Sequence, residues 1–256
     1  MIPKIIHYCW FGRNPLPEQA VKCIESWKKY FPDYEIKEWN ESNFNVDSIP
    51  YTKDAYKARK YAFVSDYARF YILYKYGGVY FDTDVEVVKN MDEIIKKGPF
   101  MGREDEGGSG VNTVGVAPGL GLGVAPGLGL GVNPGLGLYK EILDYYDGIS
   151  FINDNGSYNQ TTVVQHVTTL LSRHGLKPVD EIQQCAGVYI YPKEYFCPLD
   201  YRTGKLNVTT NTYTIHHYMA SWITKSQRIY KTIENIIGEK AAHKISAVLK
   251  YVKLFK

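Results

Sequence analysis

The chain has 256 residues, of which 45% are hydrophobic and 22% charged, and its formal net charge is +3. This composition is that of a globular protein with a buried core, and the small net charge gives no argument for binding nucleic acid. The four cysteines form no CxxC pair and no metal-ligand spacing, which favours a reduced protein over a disulfide framework.

The first elements alternate between strand and helix. Residues 2–12, "IPKIIHYCWFG", predict a buried strand, and residues 33–39, "DYEIKEW", predict a second, shorter one. Between them, residues 15–31 carry apolar side chains at helical spacing and predict a helix. A β-α-β opening of this kind predicts an α/β fold with a mostly parallel central sheet flanked by helices.

Residues 53–76 predict one long helix, which Gly77 and Gly78 end. Its "SDYARF" segment holds Asp66 and Arg69 three residues apart, so both lie on one helix face. An ordinary surface ion pair explains this spacing. Because two further carboxylates follow soon after the helix, we favour the interpretation that Asp66 and Arg69 project into a cleft.

The segment "GGVYFDTDVEV" predicts a strand that contains two aspartates, a residue type that strands usually exclude. On a strand, Asp82 and Asp84 point to the same face, about 6.6–6.8 Å apart. One ion then contacts both only if the strand ends or bends near Asp82. Oxygen ligands suit Mg²⁺ or Mn²⁺, which often accompany a substrate diphosphate. The alternative is a half-exposed strand with an acidic solvent face.

Residues 90–98 predict a short helix and residues 99–105 a strand. Residues 115–138 then form three consecutive eight-residue units, "GVAPGLGL", "GVAPGLGL" and "GVNPGLGL". Their glycines and prolines predict a flexible, duplicated loop near the acceptor side. Lengthening a surface loop costs little free energy, so this loop needs no functional explanation.

After the repeat, residues 139–147 and 161–175 predict helices, and residues 187–200 and 211–222 predict strands. The last of these, "NTYTIHHYMASW", contains His216 and His217, which point to opposite faces of a strand. At most one of them reaches a site near Asp84. We favour His217, against the alternative of a histidine that only packs.

Three segments, "IPKIIHYCWFG", "SDYARFYILYKYGGVYFDTDV" and "TIHHYMASW", together resemble the DXD-containing retaining glycosyltransferases of the GT-A fold. The resemblance is to the family that holds bacterial capsular-polysaccharide transferases and fungal Golgi outer-chain mannosyltransferases. The catalytic domains of glucosylating toxins resemble the chain more distantly. The similarity covers residues 1–105 and returns around residues 185–225.

The resemblance implies a role for each matching residue. The catalytic residues would be Asp66, Arg69 and Asp82, and the metal, Mn²⁺ or Mg²⁺, would be held by Asp82, Asp84 and His217. The donor-binding residues would be Tyr8, Trp10, Asp66, Arg69, Asp82 and Trp222. The metal would act as a Lewis acid on the departing diphosphate, and Asp66 would stabilise positive charge on the sugar.

The expected function is therefore sugar transfer from a nucleotide-sugar, with a UDP-sugar preferred. The acceptor would be a growing surface or capsular polysaccharide or a lipid-linked oligosaccharide. One alternative is a sugar-binding protein without catalysis. Another is a phosphatase of the haloacid-dehalogenase type, although Glu86 stands where that motif has Thr or Val.

Residues 1–238 are predicted to form the transferase domain. Residues 239–256 predict a basic amphipathic helix, which either packs on the domain or lies on an anionic membrane surface. No apolar run approaches the roughly 20 residues that span a bilayer, and the N-terminus does not have the pattern of a signal peptide. A cytoplasmic location, peripheral on the inner face of the membrane, is expected.

Overall fold

A computed structural model of the chain describes residues 1–105, 122–201 and 203–219. The strands are β1 (Ile5–Cys9), β2 (Glu35–Trp39), β3 (Gly78–Tyr80), β4 (Val85–Val87), β5 (Phe100–Asp105), β6 (Leu122–Val132), β7 (Gln183–Cys185), β8 (Val188–Tyr191) and β9 (Thr214–His216). The helices are α1 (Glu18–Tyr30), α2 (Pro50–Lys57), α3 (Tyr61–Tyr76), α4 (Asp92–Lys97), α5 (Gly137–Asp147), α6 (Val163–Arg173) and α7 (Lys193–Phe196).

Seven strands form one sheet in the order β2-β1-β3-β6-β5-β8-β7, and β4 pairs with β9 in a separate two-stranded sheet. In the large sheet β1 is parallel to β2 and β3, and β5 is parallel to β8. Only β6 and β7 run the opposite way, because each pairs antiparallel with its neighbours. The predicted α/β fold with a mostly parallel central sheet is confirmed.

Strand alternation divides the core into two layers. Tyr80 and Met101 face a cluster formed with α2, α3, α5 and α6. Their neighbours Val79, Phe81 and Phe100 face the opposite cluster, which contains residues of α1, α4 and α7. Helices therefore cover both faces of the sheet, as expected for a largely parallel sheet.

The predicted single helix over residues 53–76 is wrong at its start. The chain forms two helices, α2 and α3, with Arg59 between them at φ 56°. A non-glycine residue in this left-handed region interrupts a helix, and the apolar spacing does not reveal the interruption. The end of α3 is as predicted, because Gly77 stops it.

The predicted loop over residues 115–138 is also wrong for most of its described part. Residues 122–132 form β6, which lies between β3 and β5 in the centre of the sheet. A Cβ at Gly131 would overlap the Phe100 ring, so the absence of a side chain lets the strands pack closely. The glycines that predict a loop in isolation here fit a crowded interior.

The strand predicted over residues 187–200 divides into β8 and the short helix α7. Among the described helices, none is long and apolar enough to cross a membrane. Trp222 and the predicted helix over residues 239–256 lie outside the described residues.

Candidate active site

The order of the strands puts the candidate site at the carboxyl ends of β1 and β3. From β1 the chain goes through α1 to β2 on one side, and β3 lies on the other side of β1. Open α/β sheets bind ligands at such a switch point, beyond the carboxyl ends of the strands. Tyr8 and Trp10 lie at the end of β1, and Asp82 follows β3 by two residues.

The two aspartates of the DXD motif lie in a turn. Strand β3 ends at Tyr80, and the Val85 N–H donates to the Asp82 carbonyl at 3.0 Å. Strand β4 then pairs with β9 instead of extending the central sheet. The predicted continuous strand through Asp82 and Asp84 is therefore wrong, and the condition for both carboxylates to approach one ion, an end or bend of the strand near Asp82, is met.

Helix α3 delivers Asp66 and Arg69 to the same place. Both side chains are buried, and Arg69 Nη2 donates to Asp66 Oδ1 at 2.9 Å. Arg69 Nη1 donates to Asp82 Oδ2 at 3.3 Å. The pair is thus a link between α3 and the DXD turn, and the alternative of a surface ion pair is wrong.

Tyr80 completes the support of Asp82. Its hydroxyl donates to Asp82 Oδ1 at 3.0 Å, and its ring lies 5.0 Å below the Arg69 guanidinium carbon. Each carboxylate oxygen of Asp82 therefore accepts a hydrogen bond from a buried donor. About 31% of the Asp82 side chain remains exposed, so the carboxylate still faces the opening.

A backbone segment that the sequence did not suggest forms the floor of the site. Met101 pairs with Leu130 but Gly102 pairs with Ala125, so residues 126–129 bulge out of β6. The Asp82 N–H donates to the Gly127 carbonyl at 2.9 Å, and a Cβ at Gly127 would overlap Asp82 Oδ2. The repeat thus supplies the surface against which the DXD turn rests.

Asp84 is held by the segment that follows β9. The Met219 N–H donates to Asp84 Oδ2 at 2.9 Å, and His216 Nε2 lies 3.3 Å from Asp84 Oδ1. Burial alone would raise the pKa of Asp84, but the charge of His216 and these hydrogen bonds hold that pKa below its usual value. Asp84 is therefore ionised at neutral pH.

The two histidines point to opposite sides, as predicted, but with a different assignment. His216 lies against Asp84, whereas the His217 ring contacts Glu86 through Nε2 and Glu86 Oε2, 2.8 Å apart. The backbone N–H of His217 donates to the Asp84 carbonyl. The structure thus brings His216 to the DXD turn, and His217 as a metal ligand stays a prediction.

The predicted nucleotide-binding aromatics differ in exposure. Tyr8 is buried against the Trp27 ring, and its hydroxyl donates to Glu38 at 2.7 Å. Trp10 is partly exposed and donates from Nε1 to the Asn14 carbonyl at 2.6 Å. Trp10 therefore has an accessible ring that a nucleotide base can contact, while the ring of Tyr8 is covered and only its hydroxyl end is near the surface.

The ionisation of the buried triad is asymmetric. Desolvation raises the pKa of Asp66 to about 7, although Arg69 acts in the opposite direction. For Arg69, burial favours the neutral form, but Asp82, Tyr80 and Asp66 together raise the pKa of the guanidinium above its usual value. Arg69 therefore stays charged between two acidic groups.

The carboxylates of Asp82 and Asp84 flank one residue of a turn and offer only oxygen ligands. This donor set fits Mn²⁺ or Mg²⁺. Asp82 is partly exposed and both of its supporting hydrogen bonds leave further lone pairs available, so it can contact a cation.

Residues 17–101 match the family model described as "Glycosyltransferase sugar-binding region containing DXD motif". The matched segment contains Asp66, Arg69, Asp82 and Asp84. This segment is similar to the DXD-containing regions of glycosyltransferases. The GT-A type inferred from the sequence agrees with this match and with the central sheet.

Curated proteins that are similar to this segment include two from yeasts. "Inositol phosphoceramide mannosyltransferase 3" of Schizosaccharomyces pombe is 34% identical over 122 residues, which are 46% of this chain and 34% of that protein. "Mannosyl phosphorylinositol ceramide synthase CSH1" of Saccharomyces cerevisiae is 30% identical over 122 residues, 46% of this chain and 32% of that protein. The chain thus spans about a third of the length of these relatives.

Among solved structures, the PaToxG glycosyltransferase superposes with a TM-score of 0.49 and 20% sequence identity. The superposition covers 67% of this chain and 69% of that one.

Proposed function

We propose that the chain is a metal-dependent, retaining glycosyltransferase that uses a nucleotide-sugar donor. The supporting observation is the buried Asp66–Arg69–Asp82 network, which joins helix α3 to the DXD turn at the carboxyl edge of the sheet. Such a network holds the DXD carboxylate in a fixed position, which transfer from a diphosphate donor requires. Helix α3 and the DXD turn, which carry these three residues, both lie within the matched family region.

The side chains have separate roles in this proposal. Asp82 and Asp84 would hold Mn²⁺ or Mg²⁺, which supplies Lewis-acid stabilisation of the departing diphosphate. Arg69 orients Asp82, because its guanidinium donates to Asp82 and Asp66 at the same time. Asp66, which shares the Arg69 guanidinium with Asp82, would in its ionised form place negative charge beside the sugar as the anomeric bond breaks.

Retention of the anomeric configuration is part of the proposal. Asp66 is buried and bound to Arg69, which leaves it poorly placed as a nucleophile. We therefore propose that the acceptor hydroxyl attacks from the face that the diphosphate leaves. The anomeric configuration of the product, read by NMR, tests this step, and an inverted product contradicts it.

For the acceptor, we propose a hydroxyl on a lipid-linked polar group in preference to a capsular polysaccharide. The names of the two yeast relatives describe transfer of mannose to inositol phosphoceramide, which is a lipid.

For the donor, a UDP-sugar is the prediction from the sequence, and measurement across UDP- and GDP-sugars identifies the nucleotide. A phosphatase is not proposed, because Glu86 stands where that motif has Thr or Val.

The test is release of nucleotide from a panel of UDP- and GDP-sugars with Mn²⁺, Mg²⁺ or EDTA. We expect one donor to be hydrolysed slowly in the presence of metal, with the activity lost on addition of EDTA and in Asp82→Asn and Asp84→Asn. The exposed Asp154→Asn serves as the matched control and keeps full activity. Donor binding without release in any condition supports the non-catalytic alternative, and absence of binding to every donor contradicts both.

A further inference from the structure

A second group of side chains of metal-ligating types lies beside the DXD turn. Glu104 is on β5, Cys197 follows α7 and His216 is on β9. One ligating atom from each lies within 4.8 Å of the others. Glu104 and Cys197 are buried, and 15% of the His216 side chain is exposed. Three different ligand types thus meet at the end of three separate elements.

The orientation of His216 indicates what this group binds. Its Nε2 faces Asp84 Oδ1 at 3.3 Å, so an Nε2–H is directed at that carboxylate. Its Nδ1 is buried and has no hydrogen-bond partner among the described residues, although Glu104 Oε2 lies 3.8 Å away. An Nδ1 at this distance from a carboxylate is satisfied by a proton, in the charged form of His216 that faces Asp84, or by a metal ion that takes the place of that proton.

We propose that Glu104, Cys197 and His216 bind a Zn²⁺ ion at a site distinct from that of the DXD motif. Sulfur, imidazole and carboxylate ligands form the mixed donor set that Zn²⁺ takes, and three protein ligands leave one position open. In a tetrahedral Zn²⁺ site such ligand atoms are about 3.3–3.7 Å apart. The ligand atoms of the three side chains would therefore move roughly an ångström closer to one another when the ion binds. Asp84 behind His216 is the carboxylate that typically orients a zinc-binding histidine.

Tyr218 lies next to the proposed zinc ligands. Its hydroxyl lies 2.9 Å from Cys197 Sγ and 3.4 Å from Glu104 Oε2. Tyr218 has φ 48°, a left-handed conformation that non-glycine residues rarely adopt. The Tyr218 hydroxyl thus lies beside two of the proposed ligands, where it would ligate the ion or hydrogen-bond a ligating water.

The two metal sites differ in chemistry, and this difference separates them experimentally. The DXD carboxylates prefer Mg²⁺ or Mn²⁺, whereas a thiolate selects Zn²⁺ or Co²⁺. Binding of zinc by Glu104, Cys197 and His216 requires no sugar donor and does not depend on the proposed transferase function. The sites share one element, since His216 lies between Asp84 and the proposed ion.

The experiment uses Co²⁺ as a spectroscopic substitute for Zn²⁺, added to the purified, metal-free full-length chain in excess Mg²⁺. A cysteine ligand gives a thiolate-to-cobalt charge-transfer absorption in the near ultraviolet, and added Zn²⁺ abolishes it. We expect one equivalent of Co²⁺ to produce this absorption in the native chain and in Asp82→Asn, which lacks a DXD ligand.

Cys197→Ser should lose the absorption, because serine retains the shape but not the thiolate. The matched control is Cys185→Ser, which alters an equally buried thiol, 4% exposed as Cys197 is, on another element. Retention in Cys185→Ser together with loss in Cys197→Ser supports the site. Absence of the absorption in the native chain, or its persistence in Cys197→Ser, overturns the proposal without reliance on how any variant folds.

Discussion

At the residue scale, Gly127 determines where Asp82 lies. Its carbonyl accepts the Asp82 N–H, and it has no Cβ to displace the carboxylate. We expect Gly127→Ala to lower metal-dependent donor hydrolysis at least tenfold, because the methyl group displaces Asp82 Oδ2. The overpacking should cost about 1–3 kcal/mol in the free energy of unfolding.

The control for this change is Gly137→Ala. A Cβ at Gly137 meets no atom within 4 Å, and this residue is the first of α5. Activity and stability should stay close to those of the native chain. Equal effects of the two substitutions on hydrolysis would contradict a role for Gly127 in placing Asp82.

Arg69 connects two carboxylates through different nitrogens of one planar group. A lysine ammonium cannot span both, so Arg69→Lys leaves one carboxylate without a charged donor. Loss of one hydrogen bond to a charged group costs about 1.5–3 kcal/mol, which corresponds to a roughly 10- to 100-fold fall in kcat/KM. The exposed Arg173→Lys should leave kcat/KM unchanged, and native kinetics in Arg69→Lys would refute this role.

At the element scale, the parts that the sequence predicted best are those with local signals. Strand β1, helix α1 and strand β2 follow from an apolar run, a 3.6-residue period and a short connection. The positions of Asp66 and Arg69 also follow from helical spacing. Their burial against Asp82 could be favoured but not established, because it depends on how α3 packs on the sheet.

The elements that sequence reasoning missed depend on long-range contacts. Strand β6 is rich in glycine and proline, which oppose a strand locally, yet it is held on both sides by β3 and β5. The DXD turn bends because β4 pairs with β9, more than 120 residues later in the chain. The choice between His216 and His217 depends on the same pairing, which no local pattern contains.

Helix α6 carries an intact capping box, which gives a test at this scale. Thr162 Oγ1 accepts from the Gln165 N–H, and the Gln165 side chain accepts from the Thr162 N–H. We expect Thr162→Ala to lower the free energy of unfolding by about 1 kcal/mol, since two helix-end donors lose their partners or geometry. The free energy of unfolding is measured by urea titration. Thr161→Ala, one residue earlier, should lower it by less than Thr162→Ala does, and an equal decrease would contradict the capping role.

At the scale of the whole molecule, two buried histidines make stability depend on pH. Burial lowers the pKa of His7 and of His166 to about 4. In the unfolded chain both titrate near 6.5, so the unfolded state binds more protons between these values. The free energy of unfolding therefore falls as the pH is lowered from 6.5 towards 4. Each histidine contributes about 2 kcal/mol of this loss at pH 5.

His166→Gln separates this effect from that of Asp66, whose raised pKa acts in the opposite direction. Urea denaturation at pH 7.5 and pH 5.0 should show a loss of stability about 2 kcal/mol smaller in His166→Gln than in the native chain. His174→Gln, at an exposed histidine, should not reduce the loss in this way. The same pH dependence in the native chain and His166→Gln would contradict the assignment.

The sequence of the central strand β6 also occurs twice in the chain. Residues 114–124 repeat the sequence of β6, residues 122–132, with Val114 in place of Leu122 as the one difference. An eight-residue shift would shorten the preceding connection from 16 to 8 residues and lengthen the following one from 4 to 12. By loop-closure entropy the two changes nearly cancel, to within about 0.5 kcal/mol.

Two copies of one strand sequence can therefore compete for a single position between β3 and β5 during folding. Deletion of residues 115–122 removes the competitor and leaves the strand sequence intact except for that valine. We expect the shortened chain to keep its activity and to refold in fewer kinetic phases than the native chain. If refolding kinetics are identical, register competition does not occur. A duplication in the middle of a sheet would in this way leave the final fold unchanged and add an alternative register to its folding.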